Sequence, residues 1–265
     1  MAGNFDSWYR ECLPYNNRVN SASVTKLLAL NRQFYQTFAL QFSATRQRLQ
    51  PGVRRVLKTL PQKANILDLG CGNGELAREL SRRGHQGFYF GLDFSPELLA
   101  EAGKIPLAPL KTFFMEIDLA SPSWPAVLHD HLTATSNIRP DRVLAFAVLH
   151  HLPSVELRCR VLSQVRDCMT HGGLFIHSEW QFLSSDRWRA RVQPWESVGL
   201  IADDMEPGDT LLDWRGGGLG VRYVHNFTEE ELARLAGDSG FFIQQTFYSD
   251  GEGGRLGLYQ VWQSV

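Results

Sequence analysis

Cysteine is scarce in this chain. The four residues Cys12, Cys71, Cys159 and Cys168 form no C-x-x-C pair and have no histidine at ligand spacing, which argues against a disulfide framework and against a zinc site. No metal is expected. Long apolar runs are absent too: the longest, Val143 to Leu149, is far too short to cross a bilayer. Neither sign of charge dominates, with 27 basic and 28 acidic side chains and a formal net charge of -1. A surface gripping nucleic acid along its whole face would be strongly basic, so any such contact must rest on a local patch. The opening Met1 to Asp6 has no apolar core of the signal-peptide kind, and the expected compartment is the reducing cytoplasm. No internal repeat or low-complexity tract is present.

What is present is an ordinary globular balance, 43% hydrophobic and 21% charged over 265 residues. That is enough chain to bury a sizeable core as one embellished domain or two small ones. Apolar runs alternate with helix-period segments, the pattern of a parallel sheet covered by helices. Residues 65–69, 87–93, 112–117, 141–147 and 173–179 read as five strands. Between them, Glu75 to Arg83 reads as a helix stopped by Gly84, a second helix follows the Ser95-Pro96 start, and Ser154 to Met169 reads as a third. Thr228 with Glu231 three residues on forms a capping box for a helix over 229–236. The strands 241–248 and 256–262 follow, joined by the Gly-rich turn Asp250 to Gly254. The segment from Phe182 to Gly220 is rich in Trp and Gly without clear period and reads as a long irregular insertion over the sheet. The first 50 residues read as mostly helical, a lid.

The strongest local signal is Asp68-Leu69-Gly70-Cys71-Gly72-Asn73-Gly74, between the first strand and its helix. Glycines suit a tight turn that a ligand's atoms approach closely. A Gly-rich turn alone is weak, because dinucleotide-binding folds use one. Here the spacing Gly70-x-Gly72-x-Gly74 lacks the third glycine of a pyrophosphate-binding turn, which counts against a nicotinamide oxidoreductase. Asp93 closes the second strand, where a carboxylate can accept both hydroxyls of a ribose. Asp118 follows the third, placed for an adenine amino group, with the Leu119 backbone beside the ring. Taken singly, each aspartate reads as a helix cap or turn residue; in this order, at the carboxyl ends of adjacent strands, the ligand reading prevails.

This run resembles the class I S-adenosylmethionine (SAM)-dependent methyltransferases over roughly residues 50 to 180 and through the final hairpin. The resemblance implies an α/β fold: a Rossmann-like seven-stranded, mostly parallel sheet with an antiparallel C-terminal hairpin. It divides the chain into a helical lid over 1–50 and a SAM-binding domain over 51–265, with an insertion at about 182–222. It implies SAM as cofactor, S-adenosylhomocysteine as product, and a cofactor site of Arg46, Asp68, Gly70, Cys71, Gly72, Asn73, Gly74, Asp93, Phe94, Asp118, Leu119 and Ala147. His150 and His151 follow the fourth strand, near the chemistry in such enzymes, where a structural role is at least as common as a catalytic one.

Three further stretches narrow the resemblance: Asn31 to Ala39 leading into Phe42-Ser43-Ala44-Thr45-Arg46; Gly208 to Trp214; and Arg222-Tyr223-Val224-His225-Asn226-Phe227. With Ala147 to His151, they resemble the tRNA methyltransferases that esterify a 5-carboxymethyl group on the wobble uridine. That resemblance implies catalytic or acceptor-site roles for Arg222, Tyr223, His225 and His150. Asp213 stands where the family has proline, and Val224 where it has a second aromatic. The Asp213 charge would repel an anionic acceptor unless Arg215 pairs with it.

The chemistry is consistent with such an acceptor. A carboxylate, with a pKa of about 4, is already ionised at neutral pH, so the enzyme needs no general base. It must align the oxygen and hold the anion, which an arginine fork does well. Arg46 and Arg222 are the candidates, with Arg46 alternatively clasping the methionine carboxylate of SAM and Arg222 alternatively in a surface ion pair. Partners are open. Local basic segments (Arg46, Arg48, Arg54, Arg55 and Lys58; Arg187, Trp188, Arg189 and Arg191) could hold tRNA or be solvated faces, and Asp203, Asp204, Glu206 and Asp209 make a poor RNA surface. Two other readings remain: O- or N-methylation of a small metabolite with His150 or His225 as base, and a non-catalytic SAM-binding subunit. No membrane association is expected, and an activating subunit is unassigned.

Overall fold

The computed structural model describes residues 19–45, 48–104, 107–135 and 138–265. Seven strands form the main sheet: β1 (Ile66–Leu69), β2 (Phe88–Asp93), β3 (Lys111–Glu116), β4 (Arg142–Phe146), β5 (Leu174–Trp180), β9 (Phe241–Ser249) and β10 (Gly257–Ser264), in the order β3-β2-β1-β4-β5-β10-β9. β1 to β5 pair in parallel, whereas β10 runs antiparallel to both β5 and β9. The order reverses between β1 and β4, and that switch point is where open α/β sheets bind their ligands.

Among the described residues, eight helices accompany the sheet: α1 (Ser21–Thr45), α2 (Pro51–Leu57), α3 (Glu75–Arg82), α4 (Pro96–Ala102), α5 (Trp124–Thr135), α6 (Val155–Cys168), α7 (Asp186–Arg189) and α8 (Glu229–Asp238). The expected starts are present as hydrogen bonds. Ser95 Oγ accepts the Leu98 amide, and Thr228 Oγ1 accepts the Glu231 amide. α3 buries Leu76, Ala77 and Leu80 on one stripe and turns its four arginines and glutamates outward. α1 packs against residues 220–225 of the insertion and against α4.

The insertion differs from the irregular loop expected over 182–222. It holds a separate antiparallel sheet of β6 (Val192–Gln193), β7 (Asp209–Trp214) and β8 (Gly220–His225), in the order β6-β7-β8. Both faces of β7 and β8 are covered. Leu211 and Tyr223 pack towards Leu27 of α1, and Leu212 and Val224 towards Phe182. A strand buried on both sides has no polar alternation to betray it.

Candidate active site

The loop after β1 carries three left-handed glycines, with φ of 67° at Gly70, 55° at Gly72 and 77° at Gly74. Their reasons differ. A Cβ at Gly70 would stand 2.7 Å from the Val148 side chain, and one at Gly74 2.9 Å from Ala102 of α4, so both are closed by packing. A Cβ at Gly72 would meet nothing within 4 Å. Gly72 therefore opens onto free space at the switch point, as a loop that cradles a ligand must. Around it, Cys71 is buried and its amide donates to Leu92 O (2.9 Å). Asn73 Nδ2 donates to Ser43 Oγ of α1 (2.8 Å).

Acids stand at the carboxyl ends of the strands beside this loop, Asp93 closing β2 and Asp118 two residues past β3. Asp93 accepts the Gly72 amide on Oδ2 (2.8 Å) and the Ser95 amide on Oδ1 (2.9 Å). Each oxygen keeps a second lone pair for a ribose hydroxyl. Burial raises its pKa, against the lowering by these amides. Asp118 Oδ1 accepts the Ala120 amide (2.9 Å), while Oδ2 pairs with Arg32 of α1. Leu119 is buried beside it. Asp68 sits deeper. Burial pushes its carboxyl up to about 7 despite the hydrogen bond donated by Tyr89, and the charge of Asp93 adds to the rise. Phe94 meets the edge of Tyr35 of α1, with ring centroids 5.8 Å apart. Ala147 turns the chain out of β4 with φ 61°, a rare conformation for a residue with a side chain, and its amide donates to Ser178 O (2.9 Å). Arg46 lies outside the described residues.

On the acceptor side, Arg222 of β8 is only 4% exposed and its Nε has no hydrogen-bond partner. Among the described residues no carboxylate pairs with it. Its guanidinium lies over Trp180 (5.1 Å), Phe34 (5.3 Å) and Trp214 (5.9 Å). The surface ion pair considered for it is not there. Asp213 is held by Arg215, Oδ2 to Nε at 2.7 Å.

Tyr223 and His225, expected to shape the acceptor pocket, sit elsewhere. Both are fully buried, on the face of β8 opposite Arg222, in a cluster around Arg158 of α6. Arg158 donates to Leu152 O (3.0 Å), Glu206 (3.0 Å), Glu231 (3.3 Å) and Tyr223 Oη (3.0 Å). Tyr223 donates in turn to Asp209 (2.6 Å), and the His225 ring nitrogens face Asp209 (2.7 Å) and Glu231 (3.0 Å). Burial alone would loosen the Arg158 proton, but Tyr223 and the three carboxylates hold it more firmly than usual. This cluster ties the insertion to α6 and α8 and leaves Tyr223 and His225 no open face.

His150 is buried as well, its Nδ1 3.2 Å from Glu179 Oε2, and His177 Nδ1 lies 3.0 Å from Oε1 of the same carboxyl. Burial raises the Glu179 pKa well above the usual range and lowers that of His177 to about 3. The ring beside α1 is His151 instead, with Nε2 2.7 Å from Tyr35 Oη and Nδ1 3.3 Å from Tyr223 O. Asn31 of α1 completes that junction: its amide donates to Tyr223 O (3.1 Å) and His151 O (3.3 Å) and accepts the Tyr223 amide (2.8 Å).

Known proteins resemble the chain over this same region. A family model described as a methyltransferase domain matches residues 42–246. A tRNA (carboxymethyluridine(34)-5-O)-methyltransferase from Schizosaccharomyces pombe is 28% identical over 56% of this chain and 56% of its own length. A trans-aconitate 2-methyltransferase from Pseudomonas paraeruginosa is 29% identical over 66% of this chain and 54% of its own. The chain thus spans little more than half the length of either relative. A crystal structure of a SAM-dependent methyltransferase from Methanosarcina mazei shares the fold with a TM-score of 0.58, at 21% identity, over 82% of this chain and 98% of that one. The chain belongs to the methyltransferase-domain family.

Proposed function

We propose that this enzyme methylates a carboxylate, and that the acceptor is the 5-carboxymethyl group of a wobble uridine in tRNA. The observation that carries the reading is Arg222: a guanidinium buried among three aromatic rings, with an orphaned Nε and no carboxylate among the described residues paired with it. A buried charge without a partner is costly, and an anionic substrate removes that cost. The names of both relatives contain a carboxylate substrate, carboxymethyluridine in one and trans-aconitate in the other.

The open space at Gly72, with Asp93 and Asp118 at its edge, fits the amino acid, ribose and adenine of SAM. When bound there, SAM supplies an electrophilic methyl on a positively charged sulfur. Arg222 holds one carboxylate oxygen and leaves the other to attack. No proton moves, so no residue need act as base, in keeping with the enclosed positions of His150 and His225. As the ester forms, negative charge on the acceptor disappears; Arg222 therefore grips the ground state at least as tightly as the transition state and serves recognition. The rings of Phe34, Trp180 and Trp214 exclude water from the oxygen, which favours a step in which opposite charges cancel.

The test is purified enzyme with labelled SAM, offered tRNA carrying 5-carboxymethyluridine and, separately, trans-aconitate. Alkali-labile label in the tRNA is the expected result. Label only in trans-aconitate would place the enzyme with the small-acid relatives, and label in neither would remove the carboxylate reading.

A further inference from the structure

Three guanidinium groups and two indoles form one continuous tier from the surface of the insertion down to the acceptor site. Trp180 lies beneath Arg222 and meets Trp188 edge to face, centroids 4.7 Å apart and planes at 82°. Trp188 in turn lies against Arg191 (Cζ 4.8 Å from the ring centroid) and Arg187 (5.3 Å). The neighbouring Arg189 is occupied: it pairs with Asp186 and donates to Leu183 O (2.7 Å). Arg187 and Arg191 have no carboxylate partner among the described residues. Arg191 is nonetheless held in place, because its carbonyl accepts the Asp213 amide of β7 (3.1 Å).

We propose that Arg187, Trp188 and Arg191 form the phosphate-binding mouth of the acceptor site, holding the RNA backbone next to the nucleotide whose side group reaches Arg222. This rests on the carboxylate-on-RNA reading above and adds the surface that recognises the polymer. A small acid enclosed around Arg222 needs no second pair of cations outside. A polyanion does: paired guanidinium groups suit phosphodiesters, and the intervening indole offers a base an apolar ring edge. Because the chain as a whole is electrically near neutral, such a local pair is the form RNA binding must take here.

The experiment is direct binding of a fluorescent single-stranded RNA by the full chain across a salt series, for wild type, Arg187→Ala/Arg191→Ala, Trp188→Leu, and the control Arg54→Ala/Lys58→Ala. The double arginine variant is expected to bind about ten-fold or more weakly, and its log–log salt slope to fall by roughly one to two, since each phosphate contact contributes about 0.7 for single strands. Trp188→Leu should weaken binding without changing the slope. A wild type that fails to bind, a double variant with unchanged affinity and slope, or a loss of slope in the control instead would overturn the proposal. Methyl transfer by wild type to free 5-carboxymethyluridine is the separate readout for the parent reading. Transfer without RNA binding sinks only the mouth, and RNA binding without transfer to any carboxylate sinks only the chemistry.

Discussion

Arg222 and Tyr223 are neighbours on β8 and face opposite worlds: the first lies unpaired among aromatic rings, the second inside a saturated polar cluster. Strand geometry alone produces this split, because successive side chains point to opposite faces. One face of the strand is therefore the one the proposed acceptor would meet, and the other anchors the insertion.

The Arg222 side should trade function against stability. Arg222→Met removes an unpaired buried charge and keeps its volume, so thermal unfolding is expected to be unchanged or to rise slightly. Activity should fall roughly 10- to 100-fold in kcat/KM, the worth of a charged hydrogen bond, with most of the loss in KM. Steady-state kinetics beside a melting curve checks both. A large drop in melting temperature would mean that Arg222 is structural.

The Tyr223 side should behave in the opposite way. Arg158→Ala strands Glu206, Asp209 and Glu231 in the interior, at a cost of about 3–5 kcal/mol, which urea unfolding would read directly. Tyr223→Phe loses one donor and is expected to cost roughly 1–3 kcal/mol by leaving Asp209 and Arg158 short of a partner.

Most of the scaffold was legible because its signals are local. The caps at Ser95 and Thr228 and the strand tips at Asp93 and Asp118 need only near neighbours. The insertion was not: Leu211 and Leu212 each meet a different buried surface, so Asp209 to Trp214 shows no polar–apolar alternation by which to read a strand. The resemblance places Tyr223 and His225 in the acceptor pocket, whereas the structure encloses both in the polar cluster. The partner that encloses Tyr223, Arg158, is 65 residues away, and nothing in the pattern of α6 marks it as an ion at the centre of a core.

Asp68 gives the enzyme a pH signature. Its pKa rises from 3.8 to about 7 on folding, so between those values the folded state retains a proton that the unfolded chain has lost. Stability from this group is present in full at low pH and declines as pH climbs from about 4 to 7, then levels off. Asp68→Asn should flatten that decline, which amounts to at most roughly 4 kcal/mol. Denaturant midpoints at pH 5 and pH 8 supply the comparison; equal pH slopes in both proteins would contradict it.

The glycines of the loop should separate ligand binding from packing. Gly72→Ala meets no neighbour and should cost only about 1 kcal/mol for its positive φ, while SAM affinity drops sharply because the methyl enters the cofactor's space. Gly74→Ala meets Ala102 and should lose more stability than Gly72→Ala. Calorimetric titration with SAM, paired with melting curves, would show the contrast, and a Gly72→Ala protein binding SAM normally would rule it out.

One turn of α1 carries Asn31, Arg32 and Tyr35, which engage the backbone of β8, the carboxylate of Asp118 and the ring of His151 respectively. In the proposed site, the SAM side and the acceptor side consequently share one helix as a common wall. If that wall moves for one guest it unseals the other, and on the proposed reading spent cofactor and methylated product are expected to leave through the same opening.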